Sequence, residues 1–186
     1  MADKGEILVH TCCGVCFEAV IGALFDEGYG VTAFFYNPNV HPYREFAKRL
    51  RAAETAAEAH KVRLLADKEY GLQLYLDRIL SAAGGRCEAC YAVRLEEAAR
   101  TAAREGIGAF TTTLLASCHQ KHEAVAEAGR TAAAREGIEC VYRDWRGRLA
   151  LGIEQAKRRS LYRQQYCGCI WSEYERFGRD VEGAGE

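Results

Sequence analysis

Short apolar stretches alternate with long helical patterns along the whole chain, and that alternation limits the fold more than any other feature. EILVH (6–10), VTAFFYN (31–37), VRLL (62–65), AFTTTLL (109–115) and ECVYRDW (139–145) have the length and the β-branched or aromatic content of strands. Helical patterns lie between them at 16–29, 43–61, 71–85, 87–106 and 119–137, with two more at 152–166 and 170–177. Gly28 and Gly30 end the first helix, and Gly106 caps the fourth. Strands joined by helices of this length make βαβ units. They predict an α/β fold, a parallel sheet flanked by helices with right-handed crossovers. The 186 residues suit a single α/β domain over 1–178, with a disordered tail at 179–186.

In an open parallel sheet, ligands bind beyond the carboxyl ends of the strands. HTCCGVC (10–16) and TTTLLASCH (111–119) both fall at such ends, so the fold places them on one rim. ATP-using enzymes of related architecture carry a Gly/Ser-rich phosphate loop after the first strand. Here cysteines fill that slot, and no dinucleotide or P-loop glycine motif occurs anywhere, so nucleotide hydrolysis is not supported. The net charge of -1 gives no global field that would draw the protein to nucleic acid, so any basic surface is local. No apolar run is long enough for a membrane span. The start, MADKGEILVH, lacks a secretory h-region. These features predict a cytoplasmic protein without a membrane partner, in a compartment where structural disulfides are rare. Nine cysteines in such a chain point to metal or redox chemistry.

Three segments concentrate the thiols. Cys12, Cys13 and Cys16 surround Gly14 where a helix begins; its free N–H groups favour thiolates, and the glycine allows close approach of a bulky ligand. Cys87 and Cys90 form a C-x-x-C at another helix start, a spacing that serves zinc, iron–sulfur clusters and dithiols. With Cys12 and Cys13 they can complete a four-thiolate set. Cys167 and Cys169, one glycine apart in YRQQYCGC, can close into a labile disulfide suited to electron transfer, or ligate a second metal. Cys118 lies on the rim beside His119 and His122, and Cys140 reads as core. His41 sits in the loop NPNVHP, where a surface histidine can touch substrate. Lys157, Arg158, Arg159 and Arg163 fall within two helical turns, with Tyr162 and Tyr166 among them, a pattern that suits phosphate contacts and base stacking.

Taken in order, HTCCGVC, NPNVHPYREF, RCEACYAVRL, FTTTLLAS, DWRGRLALG and LYRQQYCGC resemble the QueH-type epoxyqueuosine reductases. The resemblance runs from about Ile7 to Ser172 and implies a fold similar to the ATP-pyrophosphatase (HUP-like) group without its phosphate loop. It implies reduction of the epoxide of epoxyqueuosine to queuosine at the wobble position of tRNA, without cobalamin. It also implies a [4Fe-4S] cluster on Cys12, Cys13, Cys87 and Cys90, a redox-active pair at Cys167 and Cys169, and a second mononuclear iron near Cys16. Asp144, Tyr162 and His41 are three candidate proton donors to the leaving oxygen. Lys157, Arg158, Arg159, Arg163 and His41 are the candidate tRNA contacts, and the electron donor is unidentified. Val15 replaces a proline common in the family, and Cys118 replaces its usual second residue of Ser-Pro. Two other functions fit parts of the pattern: an iron–sulfur tRNA thiolation enzyme, which would need ATP, and a non-catalytic zinc-binding RNA module.

Overall fold

The computed structural model describes residues 3–178, so the expected tail at 179–186 lies outside the described residues. Five parallel strands form the sheet: β1 (Glu6–His10), β2 (Gly30–Phe35), β3 (Arg63–Ala66), β4 (Ala109–Thr112) and β5 (Glu139–Cys140). Their spatial order is β3-β2-β1-β4-β5. Among the described residues seven α-helices accompany the sheet: α1 (Gly14–Asp26), α2 (Tyr43–Ala59), α3 (Leu72–Leu80), α4 (Arg86–Arg104), α5 (His122–Glu136), α6 (Leu149–Arg158) and α7 (Ile170–Phe177). The predicted class is therefore the observed one. Among the described residues no helix is long and apolar enough to cross a membrane.

The strand order decides where a site can form. The chain runs outward from β1 through β2 to β3, then crosses back to lay β4 on the other side of β1. Both β2 and β4 pair with β1, Val9 opposing Ala33 on one side and Thr111 on the other. The crevice past the ends of β1 and β4 is thus the topological switch point, where neighbouring loops diverge and leave room for a ligand. Ile7, Leu8 and Val9 have no exposed surface, as a strand covered on both faces requires. Helices α2 and α6 pack on α1, while α5 packs on α4.

Several element boundaries differ from the sequence expectation, the helix expected at 71–85 spanning only Leu72–Leu80, and three of the differences bear on the site. The predicted strand 109–115 stops at Thr112, whose hydroxyl accepts the Leu114 N–H and turns Thr113–Ala116 into a 3-10 helix. The predicted strand 139–145 pairs with β4 only at Glu139 and Cys140. The chain then leaves the sheet edge, and Trp145 is buried instead. The predicted helix 152–166 breaks after Arg158. Ser160 takes a left-handed φ of 54°, Leu161 turns into the core, and residues 161–169 run as irregular chain. Lys157, Arg158, Arg159 and Arg163 therefore do not share two turns of one helix.

Candidate metal and redox site

The turn Thr11–Cys13 carries the chain from β1 into α1, and its cysteines converge at the switch point. The sulfurs of Cys12, Cys13 and Cys16 all lie within 4.8 Å of one another, and all three residues are buried. Cys13 is the N-cap of α1, its Sγ accepting the Cys16 N–H at 3.4 Å. Thr113, delivered by the 3-10 turn after β4, accepts the Cys12 N–H at 3.0 Å and donates its hydroxyl to Cys12 Sγ at 3.2 Å. Gln164 donates Nε2–H to Cys13 Sγ at 2.9 Å. The early end of β4 and the early end of α6 thus each supply a donor to a sulfur. Gly14 serves packing rather than ligand approach, since a Cβ there would lie 2.8 Å from the Ala52 carbonyl oxygen of α2.

The three thiols share their charge unequally. Hydrogen bonds from Cys13 and Cys16, with the nearby Arg94 charge, hold Cys12 well below the usual thiol range. The bond to Cys12 and burial push Cys13 up to about 12, and the bonds to Cys12 and Cys13 together with burial push Cys16 higher still. A metal would take the remaining protons' place. His10, beside the cluster in sequence, is held as a structural link. Its Nδ1 meets Thr112 Oγ1 at 2.7 Å and its Nε2 meets the Tyr36 carbonyl oxygen at 3.2 Å. Burial lowers its pKa to about 3, so it is neutral at pH 7.

Cys12 and Cys16 open into a cleft of about 730 Å³ that Arg49, Arg94, Arg163, Gln164 and Cys167 also line. Cys87 and Cys90 occupy the first turns of α4 but are not part of the 4.8 Å group. Cys90 packs with Tyr75, Ile79, Cys169 and Trp171, and burial raises its pKa to about 12. Cys167 is exposed, and Gln120 Nε2 donates to its Sγ at 3.4 Å. Cys169 caps α7, its Sγ accepting the Ser172 N–H. All nine cysteines are free thiols here.

The residues that hold this arrangement were not singled out from sequence. Arg49 of α2 is buried, donating to Glu45 Oε1 at 2.8 Å and to the carbonyls of Cys167 and Tyr166 at 2.7 and 2.9 Å. Gly168, between the paired cysteines, has φ +129°, and a Cβ there would come within 2.9 Å of the Arg49 guanidinium. Arg94 of α4 donates Nη2–H to Asn37 Oδ1 at 2.7 Å, while its buried Nε has no partner. A helical signal existed for both. Arg49 follows Glu45 by one turn, and Arg94 follows Cys90 by one turn, on the cysteine face.

Other expected site residues stand elsewhere. His41 is buried, not a surface residue: its Nδ1 meets the Tyr70 hydroxyl at 2.9 Å and burial lowers its pKa to about 4. It therefore carries no cation for a phosphate. Tyr162 is partly buried and donates to Glu45, which with burial raises its pKa to about 12. Asp144 is exposed and grips Arg146, whose guanidinium holds the carboxyl well below the usual range; it stays ionised and has no proton to give. Among the four expected tRNA cations, Arg158 pairs with Glu154, Arg159 reaches the buried Glu18 at 3.0 Å, Lys157 is exposed, and Arg163 lines the cleft. Cys118 is exposed, and Cys140 packs against the core with its pKa raised to about 11 by burial.

The donor set suits a thiolate-bound iron group. Sulfurs converge, amide and hydroxyl donors aim at two of them, and a buried guanidinium lines the same cleft. Comparison with known proteins identifies the family. A family model described as "Epoxyqueuosine reductase QueH" matches residues 7–175. A relative of that name from Dehalococcoides mccartyi is 35% identical over 96% of this chain and 97% of its own. Another from Thermotoga maritima is 30% identical over 96% and 95%, and one from Haemophilus influenzae 33% over 90% and 71%. Among solved structures, the U34-tRNA thiolase NcsA from Methanococcus maripaludis with its [4Fe-4S] cluster superposes with a TM-score of 0.52. It is 14% identical, covering 98% of this chain and 67% of that one, a likeness of fold.

Proposed function

We propose, since the chain belongs to the QueH family of epoxyqueuosine reductases, that it reduces the epoxide of epoxyqueuosine to the alkene of queuosine at the wobble position of tRNA. The observation that carries this reading is the buried Cys12–Cys13–Cys16 trio at the switch point, opening into a cleft that Cys167 also lines. Cytoplasmic location follows from that substrate.

The reaction breaks both C–O bonds of the epoxide and consumes two electrons and two protons, releasing water. The Cys167–Cys169 dithiol balances it, since its oxidation to a disulfide gives up two electrons and two protons. An external electron donor then restores the dithiol. The proposed cluster ligands are Cys12, Cys13, Cys87 and Cys90, with Cys16 offered to a second iron. When bound, the iron–sulfur group supplies single-electron transfer and Lewis acidity. The protein's own part is to fix geometry. Thr113 and Gln164 orient the sulfurs of Cys12 and Cys13. Arg49 holds the carbonyls of Tyr166 and Cys167, fixing the loop on which Cys167 reaches the cleft. Protons come with the dithiol, because Asp144 stays ionised and Tyr162 spends its hydroxyl on Glu45. Arg163 and Lys157 meet the tRNA backbone.

The test is a nucleoside digest of tRNA from a strain that cannot reduce epoxyqueuosine, supplied with this chain. Queuosine appears and epoxyqueuosine disappears. Persistence of epoxyqueuosine with abundant soluble protein overturns the reading.

A further inference from the structure

Two arginines are almost wholly buried, and they are satisfied very differently. Arg49 has a carboxylate and two carbonyls. Arg94 is 2% exposed, donates to one oxygen, Asn37 Oδ1, has the Cys90 thiol beside it, and leaves its buried Nε without a hydrogen-bond partner. Among the described residues no carboxylate forms a salt bridge with it. A guanidinium cannot shed its proton to escape burial, so a buried and unpaired one is costly unless an anion faces it.

The cleft offers it cysteine sulfurs as partners, and the carboxylate that lines the same cleft, Glu175, pairs with Arg86. Arg94 lies one turn after Cys90 and two after Cys87 on α4, and it lines the cleft together with Cys12, Cys16 and Cys167. Asn37, which accepts its hydrogen bond, donates in turn to the Thr11 carbonyl at 3.0 Å, on the turn that leads into Cys12. The guanidinium therefore lines the cleft of the β1–α1 thiols from the helix that carries Cys87 and Cys90, its Nη2 fixed by Asn37 and its Nε without a partner.

We propose that Arg94 is the counter-cation of the thiolate-bound cluster, a positioning residue that stabilises the cluster's reduced, more negative state and so raises its reduction potential. This rests on the reading that these cysteines hold an iron–sulfur group. It goes beyond that reading by assigning the potential to a residue that is not a ligand. Net charge and hydrogen bonding around the sulfurs are what set such potentials.

The experiment compares anaerobically reconstituted wild-type protein with Arg94→Lys and Arg94→Gln, reading iron and sulfide content and the midpoint potential by redox titration. Arg94→Lys keeps the charge, and its reduction equilibrium stays within about threefold of wild type. Arg94→Gln keeps a donor toward Asn37 and drops the charge. Its one-electron reduction equilibrium falls about tenfold or more, a shift of about 59 mV to more negative potential. Loss of iron from Arg94→Gln but not from Arg94→Lys, both folded by circular dichroism, supports the same role. Equal potentials and iron in all three overturn it, as does loss of iron from both variants, since shape rather than charge would then matter. A raised KM for tRNA with unchanged potential overturns it in favour of a substrate contact. Wild-type protein without iron or sulfide after reconstitution instead removes the cluster reading, and the inference with it.

Discussion

The cleft brings together two thiol segments built on opposite principles. Cys12, Cys13 and Cys16 sit in the β1–α1 turn and the first turn of α1, buried at 7%, 1% and 3% exposure, with their surroundings fixed by Thr113 and Gln164. Cys167 and Cys169 sit on irregular chain, one exposed and one partly so, and their loop is held in place from outside by Arg49. A metal ligand must hold its position, and the core that scaffolds the first segment suits the ligand role proposed for it. A dithiol that passes through a disulfide must move its sulfurs and be reached by a donor, and a segment tethered by its backbone with open side chains suits the redox role proposed for it. Burial and attachment, not cysteine spacing, separate the two proposed roles.

Substituting one cysteine of each segment gives the largest contrast. Cys13→Ala removes the N-cap sulfur at the centre of the trio, and iron retention falls by more than the ~10–100-fold that loss of an outer hydrogen-bond partner costs. Activity goes with it. Cys167→Ala keeps iron and sulfide near the wild-type level but loses turnover. Iron and sulfide analysis beside a tRNA reduction assay checks both. Full turnover by Cys167→Ala would remove the dithiol from the reaction, and full iron in Cys13→Ala would remove the trio from the metal site.

That contrast was half legible in the sequence. The alternation of strands and helices gave the sheet, and the position of CCGVC after the first strand gave its rim location. Both follow from local pattern, which a single sequence carries. The deviations came where tertiary contacts override pattern. Thr112 ends β4 with its own hydroxyl, β5 finds only two residues to pair, and Leu161 draws the chain out of the helix of its flanking arginines. Arg49 and Arg94 were passed over because an arginine on an amphipathic helix reads as solvent-facing. Only the packed structure shows the carbonyls and sulfurs that bury them. The expected surface role of His41 failed for the same reason.

The tether is the next largest effect. Arg49 and Glu45 have side-chain exposures of 2% and 7%, so Arg49→Met leaves a buried carboxylate with only the Tyr162 hydroxyl and frees two loop carbonyls. Breaking such a pair from one side costs about 3–5 kcal/mol, a large part of the stability of a domain this size. Urea unfolding of the metal-free protein reads the loss. A cost of under ~1 kcal/mol would mean that the Cys167 loop is held by something other than this guanidinium.

The smallest effect is expected at Asp144, and it decides where the protons come from. Its Oδ1 takes both the Arg146 side-chain Nε–H at 2.9 Å and the Arg146 backbone N–H at 3.1 Å, and the pair stands in solvent away from the cleft lining. A group held ionised by its partner carries no proton at neutral pH, whereas a working general acid contributes about 10²–10⁴-fold. Asp144→Asn therefore leaves kcat within about twofold, the range of an ordinary surface substitution, and does not move the pH–rate profile. A loss of about a hundredfold or more would place Asp144 in the reaction, and the exposed dithiol would then supply electrons alone.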